Sequence, residues 1–117
     1  MRPALIACVM FGIATAGGTG AALANDRFVA FNLTTATDFK GLYLAPAGTR
    51  DWGHNQVLND KDKIWDASER LRLTAISRGR FDVRLVDSKG RECKMAGVDL
   101  TKDITFAVHD ADLASCR

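Results

Sequence analysis

The sequence predicts an all-β fold, a small antiparallel β-sandwich of about six or seven strands behind an N-terminal signal peptide. Three observations carry that expectation. Short stretches after residue 24 alternate apolar and polar side chains with a period of two, the pattern of strands that bury one face. Two three-residue connections, Ser77-Arg78-Gly79 and Ser88-Lys89-Gly90, end in glycine, where a bulged hairpin needs a left-handed residue. No stretch beyond residue 24 sustains a helical period.

The first element is the export signal, residues 1–24. Arg2 supplies a positive start, an apolar run follows from Ala4 to Ala16, and Ala22-Leu23-Ala24 offers small residues to a signal peptidase before polar Asn25. A membrane anchor fits less well, because a bilayer span needs about 20 apolar residues and glycines interrupt this run. Leu5-Ile6-Ala7-Cys8 resembles a lipoprotein box only superficially, since no apolar core precedes it. Cleavage after Ala24 leaves residues 25–117, a length that allows one β-sandwich domain and no transmembrane span.

The strands follow in order. Val29, Phe31 and Leu33 make one face of the first, with Phe39 to Ala45 as its partner. Pro46 to Ser68 is a long connection holding both tryptophans, expected to cross between sheets with a short helical turn while a tryptophan caps the core. Leu71, Leu73 and Ala75 alternate with Arg70, Arg72 and Thr74; Phe81, Val83 and Leu85 alternate with Asp82 and Arg84. Closing the two glycine-ended turns sets Leu73 opposite Val83 and Leu71 opposite Leu85, then Leu85 opposite Cys93 and Val83 opposite Met95. That makes a three-stranded meander with one buried face. Ile104, Phe106 and Val108 form the last strand.

Charge excludes one class. The 16 basic residues include Arg2 in the signal; the rest nearly balance the 14 acidic ones. Nucleic-acid binding asks for a strongly basic stripe, which this chain lacks, so no nucleic-acid partner is expected. Processing also removes Cys8 and leaves Cys93 and Cys116, a pair that an oxidising compartment joins as a disulfide.

Several motifs occur in a recognisable order: Asn32-Leu33-Thr34, Leu42-Tyr43-Leu44-Ala45-Pro46-Ala47-Gly48, Trp52-Gly53-His54-Asn55, Phe81-Asp82-Val83-Arg84 with Asp87 and Gly90-Arg91, then Gly97-Val98-Asp99-Leu100. In that order the chain resembles a family of small exported bacterial β-sandwich proteins with a Trp-Gly-x-Asn loop, over nearly all of residues 25–117. The resemblance implies a sandwich fold and no particular activity. Family members often carry a cysteine after the Val-Asp-Leu triplet, where this chain has Thr101, so a family disulfide scheme does not transfer. Chains of this type are sometimes called argininosuccinate lyase. That enzyme is a large helical tetramer with a Gly-Ser-Ser-x-Met-Pro loop, which is absent here.

Catalytic and metal constellations fail on spacing. Taking Asp60 as the first ligand of a calcium loop puts Trp65 where glycine belongs and Leu71 where the bidentate glutamate belongs. Cys93 and Met95 are soft enough for copper, yet both point into the core in the expected register. His54 and His109 have no serine and carboxylate arranged around them, so no catalytic residue, metal ligand or cofactor is assigned.

Two surfaces remain as candidates. The meander sets Arg72, Arg84 and Lys94 side by side, a row that would receive an anionic ligand. The Trp52, His54 and Asn55 loop suits a ligand or protein contact if exposed, and closes the sandwich if buried. The expected function is a non-enzymatic binding or structural module of the cell envelope, periplasmic or secreted. An anion-binding module, a periplasmic metal-handling protein and a small enzyme of unrecognised type are the alternatives.

Overall fold

The computed structural model describes residues 27–117, so the expected export signal and cleavage site lie outside the described residues. Six strands form: β1 (Val29–Asn32), β2 (Phe39–Pro46), β3 (Arg70–Arg72), β4 (Arg80–Asp87), β5 (Glu92–Asp99) and β6 (Thr105–Val108). They make two three-stranded sheets, ordered β3-β1-β6 and β2-β4-β5, so the fold is the all-β sandwich the alternation predicts. One pairing departs from the antiparallel expectation. β1 and β6 run parallel, from Val29 beside Thr105 to Asn32 beside Val108, and their sheet is mixed.

The β4–β5 hairpin has the expected register, with Leu85 opposite Cys93 and Val83 opposite Met95. Its turn is self-contained. The buried Asp87 carboxylate accepts the Lys89 N–H at 3.0 Å, the Arg91 N–H at 2.8 Å and the Arg91 Nε–H at 2.8 Å. Gly90 sits at φ +88°, a left-handed conformation that other residues adopt only with strain.

The expected hairpin from β3 into β4 does not form. β3 pairs with β1, and the other neighbour of β4 is β2, with Leu42 beside Leu85 and Leu44 beside Val83. The reason lies just past Leu73. Gln56, itself buried, takes both backbone polar groups of Thr74, accepting its N–H and donating to its carbonyl at 2.9 Å each. Ala75 then turns left-handed at φ +59°, which ends the extended run. Residues 73–79 are a crossover between sheets, while β2, eight residues long against three in β3, pairs with β4 at seven positions.

The first strand also presents the opposite face from the one expected. Phe28, Ala30, Asn32 and Thr34 are buried, whereas Leu33 is 53% exposed, and β1 does not pair with β2. A polar network sets this register. The Asn32 amide donates to the carbonyls of Thr37 and Trp65 at 2.8 and 3.2 Å and accepts the Thr34 hydroxyl at 2.6 Å. Satisfied in this way, an asparagine is tolerated inside.

The long connection crosses from β2 to β3 as expected, with a short 3-10 turn at Gln56–Asn59. Trp65 is the tryptophan that closes the core. It is fully buried, its backbone pairs with Phe39 in both directions, and its ring lies 5.6 Å from that of Phe39. Its indole N–H is satisfied by the Glu69 carbonyl at 3.0 Å.

Candidate functional site

Once β2, β4 and β5 are in register, their outward residues form rows. Tyr43, Arg84 and Lys94 are cross-strand neighbours on the face turned away from the core. Arg72, expected beside them, stands on β3 in the other sheet, opposite Val29. Its misplacement follows directly from the hairpin that does not form.

Arg84 organises this face. Its guanidinium carbon lies 4.4 Å from the Tyr43 ring centroid and 5.3 Å from that of Trp52. Its Nε is 3.3 Å from a Glu92 carboxylate oxygen. That contact is a charge contact only, because Nε is buried without hydrogen-bond geometry to any partner. The two aromatic faces supply the stabilisation that directed hydrogen bonds otherwise would, on the order of 1 kcal/mol per cation–π contact.

Trp52 reaches Arg84 because the chain after β2 doubles back over the sheet. Gly48, at φ +81°, donates its N–H to the Asp82 carboxylate at 3.0 Å, and the Thr49 hydroxyl donates to the Pro46 carbonyl at 2.7 Å. The Gly53 N–H then returns to the Leu44 carbonyl at 3.0 Å. Trp52 is half-buried by this route, so it lies on the surface site while Trp65 fills the core.

Between this loop and β5 lies a cleft of about 360 Å³, walled by Gly48, Thr49, Arg50 and Trp52 and floored by Asp82, Val83, Lys94, Met95 and Ala96. Arg50 and Lys94 bring positive charge to it. Asp82 is the acid in its lining and is engaged by the loop amide. The cleft combines an indole wall, short apolar side chains and two ammonium or guanidinium groups, which suits binding of an apolar body with an anionic group attached.

Other expected site residues are used elsewhere. Asn55 lies along the β2 edge and its amide is consumed there: Oδ1 accepts the N–H groups of Leu42 at 3.1 Å and Val57 at 3.0 Å, and Nδ2 donates to the Lys40 carbonyl at 2.9 Å. His54 is exposed, with Nε2 3.2 Å from the Thr74 hydroxyl, and does not line the cleft. Cys93 and Cys116 stand at disulfide distance, 23 residues apart in sequence. Among the described residues, no three His, Cys, Asp or Glu side chains converge as metal ligands would.

The residues that sequence reasoning missed are Tyr43 and Arg50, whereas Asp82 and Glu92 are the carboxylates that the β4–β5 register already sets beside Arg84 and Lys94. Tyr43 becomes visible as a neighbour of Arg84 only after β2 is paired with β4. Arg50 and the Asp82–Gly48 contact depend on how the loop folds, for which the sequence carries no comparable signal. No protein-family model, curated protein or solved structure matches this chain.

Proposed function

We propose that this chain is an exported, non-enzymatic binding module of the cell envelope, which docks a partner in the cleft between Trp52 and Lys94. The observation that carries the reading is Trp52, which lines the cleft with Arg50 and Lys94 while its ring is held against the Arg84 guanidinium, itself stacked on Tyr43. An indole fixed against a cation has already lost side-chain freedom, so less further ordering opposes binding. The cleft chemistry favours a partner segment that carries an acidic group beside an apolar body. Export is supported by the signal pattern of residues 1–24 and by the Cys93–Cys116 pair, which belongs in an oxidising space.

Affinity capture from envelope extracts tests the reading, using the protein in the form in which it accumulates in the producing cell. A genuine partner is retained by the wild type and lost from Trp52→Ala and Lys94→Glu. It remains bound to Arg72→Ala, which alters the other sheet. A set of captured proteins indifferent to Trp52 and Lys94 would overturn the assignment of the cleft. Terminal sequencing of the same material reads the export step, with Asn25 as the expected first residue.

A further inference from the structure

The outer face of the other sheet carries a second feature that the Trp52 cleft does not explain. In the β1–β3 register Val29 stands beside Arg72 and Phe31 beside Arg70. Their alternates Ala30 and Leu71 are buried, so both arginines project from the side away from the core. Arg27 precedes Val29 by two residues and joins them. Arg27, Val29, Arg70 and Arg72 together line a cleft of about 420 Å³, and no acidic residue lines it among the described residues.

Three arginines elsewhere on the domain are matched with acids. Arg80 pairs with Asp99, Arg84 with Glu92 and Arg91 with Asp87. Arg27, Arg70 and Arg72 have no ion-pair partner among the described residues. Guanidinium groups stay charged at any physiological pH, so three around one cleft repel each other at a standing cost. An anion seated between them removes that repulsion. Phosphate fits best, because each guanidinium presents two parallel N–H donors to a pair of phosphate oxygens.

We infer that Arg27, Arg70 and Arg72 form a phosphate-group site, separate from the Trp52 cleft and on the opposite sheet. The group belongs either to a soluble phosphate or to a phospholipid headgroup, and the two sources separate by experiment. Inorganic phosphate is titrated into the isotope-labelled protein, in the form in which it accumulates in the producing cell, while arginine Nε–H resonances are followed. Vesicles of phosphatidylglycerol, with phosphatidylcholine vesicles as the uncharged comparison, are tested by co-sedimentation.

Saturable shifts of the three arginine side chains with inorganic phosphate assign a soluble ligand. Selective sedimentation with phosphatidylglycerol, without saturable phosphate binding, assigns a headgroup. In either case Arg70→Ala/Arg72→Ala abolishes binding, and the lysine pair Arg70→Lys/Arg72→Lys weakens it about tenfold by removing the paired donors while keeping the charge. Trp52→Ala leaves it unchanged, so this site and the proposed cleft fail or stand independently. If the alanine pair does not fold, the lysine pair and each single alanine variant carry the same test. Binding of neither probe, or binding that survives loss of Arg70 and Arg72, overturns the inference.

Discussion

Asp110 holds Thr35 by both of its donors, its carboxylate accepting the Thr35 N–H at 2.8 Å and the hydroxyl at 2.6 Å. This contact spans 75 residues and fastens the 3-10 turn Asp110–Ser115 to the connection between β1 and β2. The Thr35 hydroxyl, then its amide, keep the Asp110 carboxyl below the usual carboxylate range against the opposing effect of burial. Thr101 does the same for Asp99, through its hydroxyl and then its amide. At Asp87 burial is the largest influence and pushes upward, yet the hydrogen bonds from Arg91 and Lys89 and the Arg91 charge together bring the carboxyl down.

All three depressed carboxyls predict acid sensitivity of one sign. Their contribution to stability is complete above the unfolded carboxylate value of about 3.9 and is lost as pH falls through the lower folded values. Urea midpoints should therefore drop steeply below about pH 4. Asp87→Asn should cost about 2 kcal/mol at neutral pH, and less in acid, where the native carboxyl is itself protonated. A wild-type midpoint that stays flat into acid would contradict this account.

Asn55 stands in for a neighbouring strand along β2, accepting from Leu42 and donating to Lys40. Asn55→Ala should lose about 2 kcal/mol in urea denaturation, since two strand groups and the Val57 N–H lose their partner. Asn55→Asp keeps the acceptor oxygen but not the donor, and should lose roughly half as much.

The two tryptophans divide between core and surface. Trp65→Ala should cost about 3–5 kcal/mol, the range for emptying a buried aromatic site, whereas Trp52→Ala should cost about 1 kcal/mol or less. Iodide quenching gives an independent readout. Part of the fluorescence should be accessible, and Trp52→Phe should abolish that part while leaving the shielded Trp65 emission.

Cys116 anchors the end of the chain against β5. Arg117 exchanges two backbone hydrogen bonds with Glu92 at 2.9 Å each, and the Ser115 hydroxyl bridges the Lys94 N–H and carbonyl at 3.0 Å each. Cys116→Ser should lower stability by about 3 kcal/mol on the chain-entropy account. Amide exchange should accelerate at Glu92 and Lys94 before it does at Leu85, as the tail leaves the edge. Uniform acceleration across the sheet would show that the tail has no separate covering role.

What the sequence disclosed depended on how local the determining contacts are. The β4–β5 hairpin was legible because Asp87, Lys89, Gly90 and Arg91 fix the turn within five successive residues. The adjacency of Arg84 and Lys94 followed from it. The partner of β3 was not legible, since the alternation of Leu71 and Leu73 suits any apolar neighbour and the decision rests with Gln56, 18 residues upstream of Thr74. Nor was the inward face of β1, because Asn32 and Thr34 read as solvent-facing until each is seen to satisfy the other. The stacking of Trp52 on Arg84 depends on a loop folding back through Gly48 and Gly53, which no periodicity announces.

The parallel pairing of β1 with β6 has a temporal consequence. β1 is the middle strand of its sheet, yet its two neighbours come from residues 70–72 and 105–108, the latter near the end of the chain. During synthesis β1, the first of the described strands, waits for β6, the last of them. The sheet of β2, β4 and β5 can assemble earlier, because its hairpin closes locally. Completion of the β3-β1-β6 sheet is thereby postponed until residues 105–108 have been made, so β1 spends the interval with its parallel edge unpaired.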